Sequence, residues 1–139
     1  MTAGHEFFEV EADVGVRAWA PRAEEAFAQA ALGVFALIVN PAEVEPRERR
    51  EVRAQADSEE ALLVGWINEC LYVHEIEGFV VSRVEVDVLG PGVVHGFLVG
   101  EEFDPARHRP GTIVKAATFH GVRVTRTPER VETSIVVDI

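Results

Sequence analysis

The sequence predicts an α+β fold in which two helices pack on a largely antiparallel sheet. Two stretches carry apolar residues at helical spacing, and each lies between segments in which apolar and polar residues alternate. The last third of the chain is strand-like and is divided by turn sequences, which favours hairpins over parallel crossovers. A length of 139 residues fits one domain, so we expect residues 1–139 to fold as a single unit.

The first strand and helix are predicted at the start of the chain. Residues 7–20 alternate between apolar and polar side chains and predict one extended strand. Pro21 suits the first turn of a helix, and the apolar spacing continues over residues 22–39. Asn40 followed by Pro41 predicts the end of this helix, because the residue before a proline disfavours helical dihedrals.

The same pattern of strand and helix is repeated further on. Residues 51–56 alternate again, and residues 59–77 carry a wide apolar stripe. Asp57 and Glu60 resemble an acidic capping box, and Gly78 is placed to end the helix. The two successive units predict the order β-α-β-α, followed by strands alone.

Four strands are predicted in the remainder of the chain, separated by turns and one loop. They cover residues 79–89, 93–100, 112–127 and 131–137. Residues 90–92 and 128–130 form the predicted turns. Residues 101–111 form a polar loop with two prolines, long enough to carry function.

Composition excludes several functional classes. The net charge is −11, which argues against direct, phosphate-driven binding of nucleic acid. Of the 13 basic residues only Lys115 is a lysine. The one cysteine, Cys70, permits neither an intrachain disulfide nor a multi-cysteine zinc site, and it lies in an apolar helical run typical of a core position.

Targeting signals are not recognisable in the sequence. The first six residues lack the basic and apolar regions of a signal peptide, and no apolar run reaches the ~18 residues of a membrane span. We therefore expect a cytoplasmic protein with no membrane partner.

The common catalytic signatures are also missing. The sequence holds no G-x-S-x-G, no phosphate-binding P-loop and no H-E-x-x-H, and no pair of nucleophile and base is evident. The five histidines are scattered. In a regular strand, Lys115 and His120 would point to opposite faces and would not form one site. The sequence therefore favours an accessory protein over an enzyme.

Carboxylates at the two ends of the chain suggest a cation site. Asp13 begins an apolar strand, and Asp138 follows the apolar residues of the last strand. If these strands pair, Asp13, Asp138 and the α-carboxylate of Ile139 converge and repel one another unless a cation lies between them. Hard oxygen ligands select Ca²⁺ or Mg²⁺ over zinc. The plainer interpretation is an edge aspartate and a solvated tail.

Several motifs in chain order make the sequence resemble the archease family. They cover nearly the whole chain and lie at residues 11–19, 23–33, 62–74, 103–111, 114–120 and 136–139. Examples are Val114-Lys115-Ala116, Thr118-Phe119-His120 and the ending Val136-Val137-Asp138-Ile139.

This resemblance implies a specific function. Archeases assist the GTP-dependent RNA ligase of tRNA splicing by promoting guanylylation of its active-site histidine and multiple turnover. The resemblance implies nested strand-helix-strand-strand modules, and a metal site formed by Asp13, Asp138 and the terminal carboxylate of Ile139. Calcium is the first expectation, with magnesium or manganese as alternatives. Lys115 corresponds to a lysine that is important for assisting the ligase.

The chain departs from the family in its first motif. Most members carry His-Thr-Ala-Asp, whereas this chain has Val10-Glu11-Ala12-Asp13. The aspartate is kept and the histidine is absent, so metal affinity or partner strength is expected to differ. Two alternatives stay open: a chaperone-like modulator of RNA- or DNA-processing enzymes, and a small-molecule-binding module.

Overall fold

The computed structural model describes residues 2–10 and 13–139 and confirms the predicted α+β class. These residues form seven strands and two α-helices, with a short 3₁₀ turn at Pro41–Glu43. In chain order they are β1 Gly4–Val10, β2 Asp13–Ala20, α1 Ala23–Ile38, β3 Glu48–Gln55, α2 Glu59–Glu77, β4 Phe79–Gly90, β5 Val93–Glu102, β6 Ala116–Arg126 and β7 Val131–Asp138.

The strands form two antiparallel sheets, where one was expected. One sheet has the order β1-β2-β7-β6, and the other has the order β3-β5-β4. In each, the last strand of a strand-helix-strand-strand module lies between the other two strands of that module. The module β3-α2-β4-β5 is inserted between α1 and β6 of the module β2-α1-β6-β7, so the nesting implied by the resemblance is present.

The expectation of a single strand over residues 7–20 was wrong. The chain reverses between Val10 and Asp13, and β1 and β2 form an antiparallel pair in which Gly4 lies opposite Trp19. The sequence between the two strands contains no glycine, proline or asparagine. Because both strands share the alternation of period two, the pattern alone did not reveal the reversal.

The strand expected over residues 112–127 begins only at Ala116. The preceding residues bind the end of α1 instead, because the amides of Gly111 and Thr112 donate to the carbonyls of Ile38 and Leu37, both at 2.7 Å. These bonds satisfy carbonyls that the end of a helix leaves without partners. Thus residues 112–115 have a fixed path outside the sheet.

Helix α2 has the predicted bounds, but its N-cap is Ser58, not Asp57. The Ser58 hydroxyl accepts a hydrogen bond from the Ala61 amide at 3.1 Å. Gly78 ends the helix as predicted, with φ at 65°, a left-handed conformation that glycine adopts without steric cost.

Both helices pack against both sheets, which places one core between them. Trp66 of α2 is fully buried, and its Nε1 donates to the Phe27 carbonyl of α1 at 3.0 Å. Cys70 is buried as expected, and burial raises the pKa of its thiol well above the ordinary value. Neither helix in the described part of the chain is long and apolar enough to cross a membrane.

The four-stranded sheet has one covered face and one open face. Val16 of β2 and Ile135 of β7 are opposite each other and fully buried against the helices. Alternate residues point away from the helices. We call this second side, which includes Asp13, Arg17, Ser134, Val136 and Asp138, the open face.

Candidate functional site

The candidate site begins with the pairing of β2 and β7. Asp13 lies directly opposite Asp138 in the antiparallel register. Residues opposite each other project to the same face, with their Cβ atoms ~4.5–5.5 Å apart. The structure therefore brings two of the predicted ligands together on the open face. The separation in sequence is 125 positions (138 − 13), so only the fold could establish their proximity.

The third strand adds a backbone connection to Lys115. Ala116 of β6 is the register partner of Asp138 on its other side. The preceding amide, that of Lys115, donates to the Asp138 carbonyl at 2.8 Å. The Lys115 side chain is exposed and makes no ion pair with the residues that the structure describes. The side chain of Lys115 is therefore exposed to solvent, and its backbone is bonded to the strand that carries Asp138.

The two facing aspartates carry like charges, whose repulsion a bound cation would reduce. Like charges directly opposite each other on a sheet destabilise it. Asp138 is half-buried, and within residues 2–10 and 13–139 no basic side chain forms an ion pair with it. Among the described residues there is also no group of three His, Cys, Asp or Glu side chains that could hold a metal ion. The carboxylate of Ile139 remains the predicted third ligand.

Glu11 and Ala12, which belong to the motif that differs from the family pattern, lie outside the described residues. Val10 pairs with Asp13 at the end of the β1–β2 ladder. Val10, where the family resemblance led us to expect a histidine, is thus a register neighbour of Asp13.

The loop predicted over residues 101–111 is tied down by a buried carboxylate. Glu101 belongs to β5, is 3% exposed, and accepts hydrogen bonds from both terminal nitrogens of Arg107, at 2.9 and 2.6 Å. It also accepts from His108 Nε2 and from the Glu45 amide, both at 2.9 Å. The Asp104 amide donates to Nδ1 of His108 at 2.8 Å, which places the ring proton on Nε2.

These contacts determine the approach of the chain to Lys115. The loop is anchored by Glu101 at one end and by the last carbonyls of α1 at the other, and Lys115 follows three residues after the second anchor. The sequence predicts the loop but not the burial of Glu101, because glutamate is usually exposed and its partners cannot be identified from the sequence.

A large bulge in β6 was also missed. The register passes from Thr118 opposite Val136 to Arg123 opposite Ser134, so four residues of β6 face a single residue of β7. Gly121 in this bulge has φ at 69°. His120 lines a groove on the open face, on the side that alternation from Ala116 and Thr118 predicts. The alternation changes only after it, because Arg123 also faces the open side. The sequence His120-Gly121 was the one available signal.

The fold and site together define a class of protein: two nested strand-helix-strand-strand modules, with two aspartates facing each other on the open face of the four-stranded sheet. Comparisons with known proteins identify the family. The sequence model of the Archease protein family (MTH1598/TM1083) matches residues 5–139. The chain therefore belongs to the archease family.

Individual relatives agree with this assignment. The protein archease of Pyrococcus furiosus is 36% identical over 127 residues, covering 89% of each chain. That of Saccharolobus islandicus is 39% identical over 96% of this chain and 97% of the relative.

Two solved structures share the fold. The solution structure of Methanobacterium thermoautotrophicum protein 1598 has a TM-score of 0.80 and 31% identity, over 98% of this chain and 99% of the other. The crystal structure of an archease from Thermotoga maritima, described as a possible chaperone, has a TM-score of 0.63 and 19% identity, covering 95% and 94%.

Proposed function

We propose that this archease-family protein activates the GTP-dependent RNA ligase of tRNA splicing, promoting guanylylation of the ligase and its multiple turnover. The observation that carries the proposal is the placement of Asp13 opposite Asp138, with the backbone of Lys115 bonded to Asp138. Two facing carboxylates and the backbone of Lys115 thus lie at one end of the open face, which supports a shared role for them.

The proposal assigns the metal to Asp13, Asp138 and the carboxylate of Ile139. The donor set fits a hard divalent cation, because all three ligands are carboxylates, and calcium is preferred over magnesium or manganese. A bound cation neutralises the facing carboxylates and offers a positive centre to phosphate oxygens. The protein's own contribution is to hold the two aspartates in register across β2 and β7.

Lys115 acts on the ligase or its nucleotide. Its ammonium is a compact point charge on a flexible stem, suited to a phosphate that is being transferred. The Lys115–Asp138 backbone bond and the α1 anchors fix the base of this stem. The chain's net charge of −11 complements a basic, RNA-binding partner and would speed the encounter.

The test is multiple-turnover ligation by the purified cognate ligase, with and without the activator. We expect Asp138→Asn and Lys115→Gln each to lower stimulation by at least about tenfold, the effect of losing ~1.4 kcal/mol of interaction. Glu75→Gln and Arg53→Gln serve as controls for loss of one charge, since both residues lie on other elements, away from the open face. Full stimulation by both site variants would refute the assignment.

Metal binding has a separate readout. Added Ca²⁺ is expected to raise the melting temperature of the wild-type protein, because a ligand at 100 times its Kd stabilises by ~2.7 kcal/mol. Asp138→Asn should abolish this increase, and a Gly-Ser extension after Ile139 should weaken it. An increase that persists in Asp138→Asn would place the metal elsewhere.

A chaperone-like modulator is a second candidate, because the Thermotoga maritima archease that shares the fold is described as a possible chaperone. Such a modulator would stimulate the ligase by limiting its aggregation. Its effect would survive chelation and both site variants, and an unrelated aggregation-prone enzyme would benefit equally. The same ligation assay, run in the presence of chelator and beside a light-scattering measurement, separates the two functions.

A further inference from the structure

The open face carries a second polar row, independent of the aspartate pair. Ser134 of β7 has Arg17 of β2 as its register partner on one side and Arg123 of β6 on the other. Cross-strand neighbours on one face have Cβ atoms ~5 Å apart, so an arginine adjoins Ser134 on each side. Two positively charged residues therefore adjoin one hydroxyl-bearing residue on a chain with a net charge of −11.

Arg17, Ser134 and Arg123 line a groove of about 450 Å³. The β6 bulge supplies one wall through His120 and Gly121, and Thr125 adds a second hydroxyl. Val136 and Phe8 add apolar contacts. Bulges of this kind redirect side chains, and here the redirected residue is Arg123, which lies five positions after Thr118 and yet faces the same side of the sheet, in the groove that His120 also lines.

The donors in the groove are largely uncommitted. Arg123 makes no hydrogen bond or ion pair with the described part of the chain, and the hydroxyls of Ser134 and Thr125 are likewise unbonded there. Arg17 binds Glu6 through Nη1 at 2.7 Å. Its guanidinium also stacks over the Phe8 ring, 4.7 Å from the ring centroid, and its Nη2 makes no hydrogen bond with residues 2–10 and 13–139.

One carboxylate also lines the groove, and its charge is already matched. Glu132 binds Nη2 of Arg130 at 2.6 Å and lies 3.7 Å from Nε of Arg17. With Glu6 on Arg17 and Glu132 on Arg130, the charge of Arg123 is left in excess. The groove therefore combines a net positive charge with hydroxyl and guanidinium donors, which is the chemistry that binds a phosphate.

We infer that this groove binds a phosphate group, held by Arg123, Arg17 and the Ser134 hydroxyl, with His120 at the side. The inference rests on the geometry of the sheet face and not on the ligase function. Ser134 lies four residues before Asp138 on β7, a distance of about 14 Å along the strand. A phosphate there would share the open face with the aspartate pair without contacting it.

The test is titration of the full-length protein with inorganic phosphate at pH 7, followed by backbone amide NMR. We expect saturable shifts centred on residues 120–125 and 134. Arg123→Gln should weaken binding about tenfold, as expected for loss of a charge-assisted hydrogen bond. Ser134→Ala should weaken it about fivefold.

Arg53→Gln is the matched control, because Arg53 is an exposed strand arginine on the other sheet with no ion pair to the described residues. Equal weakening by Arg53→Gln and Arg123→Gln would show nonspecific charge attraction and overturn the inference, as would shifts that do not saturate. Parallel titration with GMP distinguishes the sources. Equal affinities would assign the groove to free phosphate, and tighter binding of GMP would assign it to the phosphate of a nucleotide.

Discussion

Replacing Glu101 by glutamine should destabilise the protein more than any other single carboxylate-to-amide change on β5. The carboxylate is 3% exposed and lies under the loop that leads towards Lys115. Its Oε2 accepts from the Glu45 amide, Arg107 Nη1 and His108 Nε2, while Oε1 accepts from Arg107 Nη2. All four partners are donors, so the site requires two acceptor oxygens.

A glutamine satisfies only part of this requirement. Its amide oxygen can replace Oε2, but its NH₂ group then faces the Arg107 guanidinium, donor against donor. The three remaining bonds also lose their charge assistance, which is worth ~1 kcal/mol each when neutral and charge-assisted bonds are compared. Arg107 is partly exposed, so water can hydrate its freed nitrogen. The sum is about 3 kcal/mol, or roughly 10 °C in melting temperature for a domain of this size.

The assay is thermal unfolding followed by circular dichroism, with Glu102→Gln as the control. Glu102 is the next residue, is exposed, and has no hydrogen bond or ion pair with the described residues. The control should therefore melt like the wild type. The reasoning fails if both variants melt at the same temperature at pH 7.

The pH dependence gives an independent check on the same carboxylate. The Arg107 hydrogen bonds, with those of Glu45 and His108, hold the pKa of Glu101 far below its ordinary value of 4.5. A group whose pKa is lowered by folding stabilises the protein fully above its unfolded pKa, and this contribution declines as the pH falls. The difference in the free energy of unfolding between wild type and Glu101→Gln should be constant near pH 7 and should become smaller below about pH 4.5.

Two further predictions concern the three-stranded sheet and the segment that leads from α1 to Lys115. His95 contacts Glu51 through Nε2 at 2.8 Å and Asp87 through Nδ1 at 2.6 Å, and these hydrogen bonds raise its pKa above 6.5. The stabilisation that His95 provides should be complete below pH 6.5 and should be lost as the pH rises through its pKa in the folded protein. The melting temperatures of wild type and His95→Gln should therefore differ most at acidic pH. An NMR titration that places the His95 pKa below 6.5 would contradict this prediction. Gly111→Ala would set a Cβ far inside van der Waals contact with the Leu37 carbonyl oxygen, a backbone atom that cannot rotate away, so the Gly111 and Thr112 anchors should break. Ligase stimulation should then fall while Ca²⁺ still raises the melting temperature, and unchanged stimulation would show that the anchors do not position Lys115.

Local sequence patterns predicted the helices well because the features that define them are local. The bounds of α2 were correct, since an apolar stripe and a terminal Gly78 lie within the helix itself or beside it. The reversal between β1 and β2 was missed because nothing in residues 10–13 distinguishes a turn from a strand. The β6 bulge was missed because the alternation of a single strand says nothing about its partner's register.

For the candidate site too, some features could be predicted from the sequence and others could not. The prediction that Asp13 and Asp138 converge required only that the first and last strands pair, and the register places them opposite each other. The Arg17–Ser134–Arg123 row depends on two registers and a bulge, which no spacing in the sequence could supply. The burial of Glu101 could be inferred only from its three partners, which lie in two separate segments, at Glu45 and at Arg107 and His108.

The two nested modules explain why one carboxylate is structural and the other is available. In each module the central strand is the last one, β5 or β7, and each carries an acidic residue near its end on the side away from the helices, Glu101 or Asp138. The segment after β5 folds back over Glu101, where Arg107 supplies the counter-charge and His108 donates a hydrogen bond. Asp138 has no comparable cation among the described residues and faces Asp13 instead. The same position in the fold therefore produces a buried anchor in one module and an anionic site in the other, because only one of the two receives an internal counter-charge.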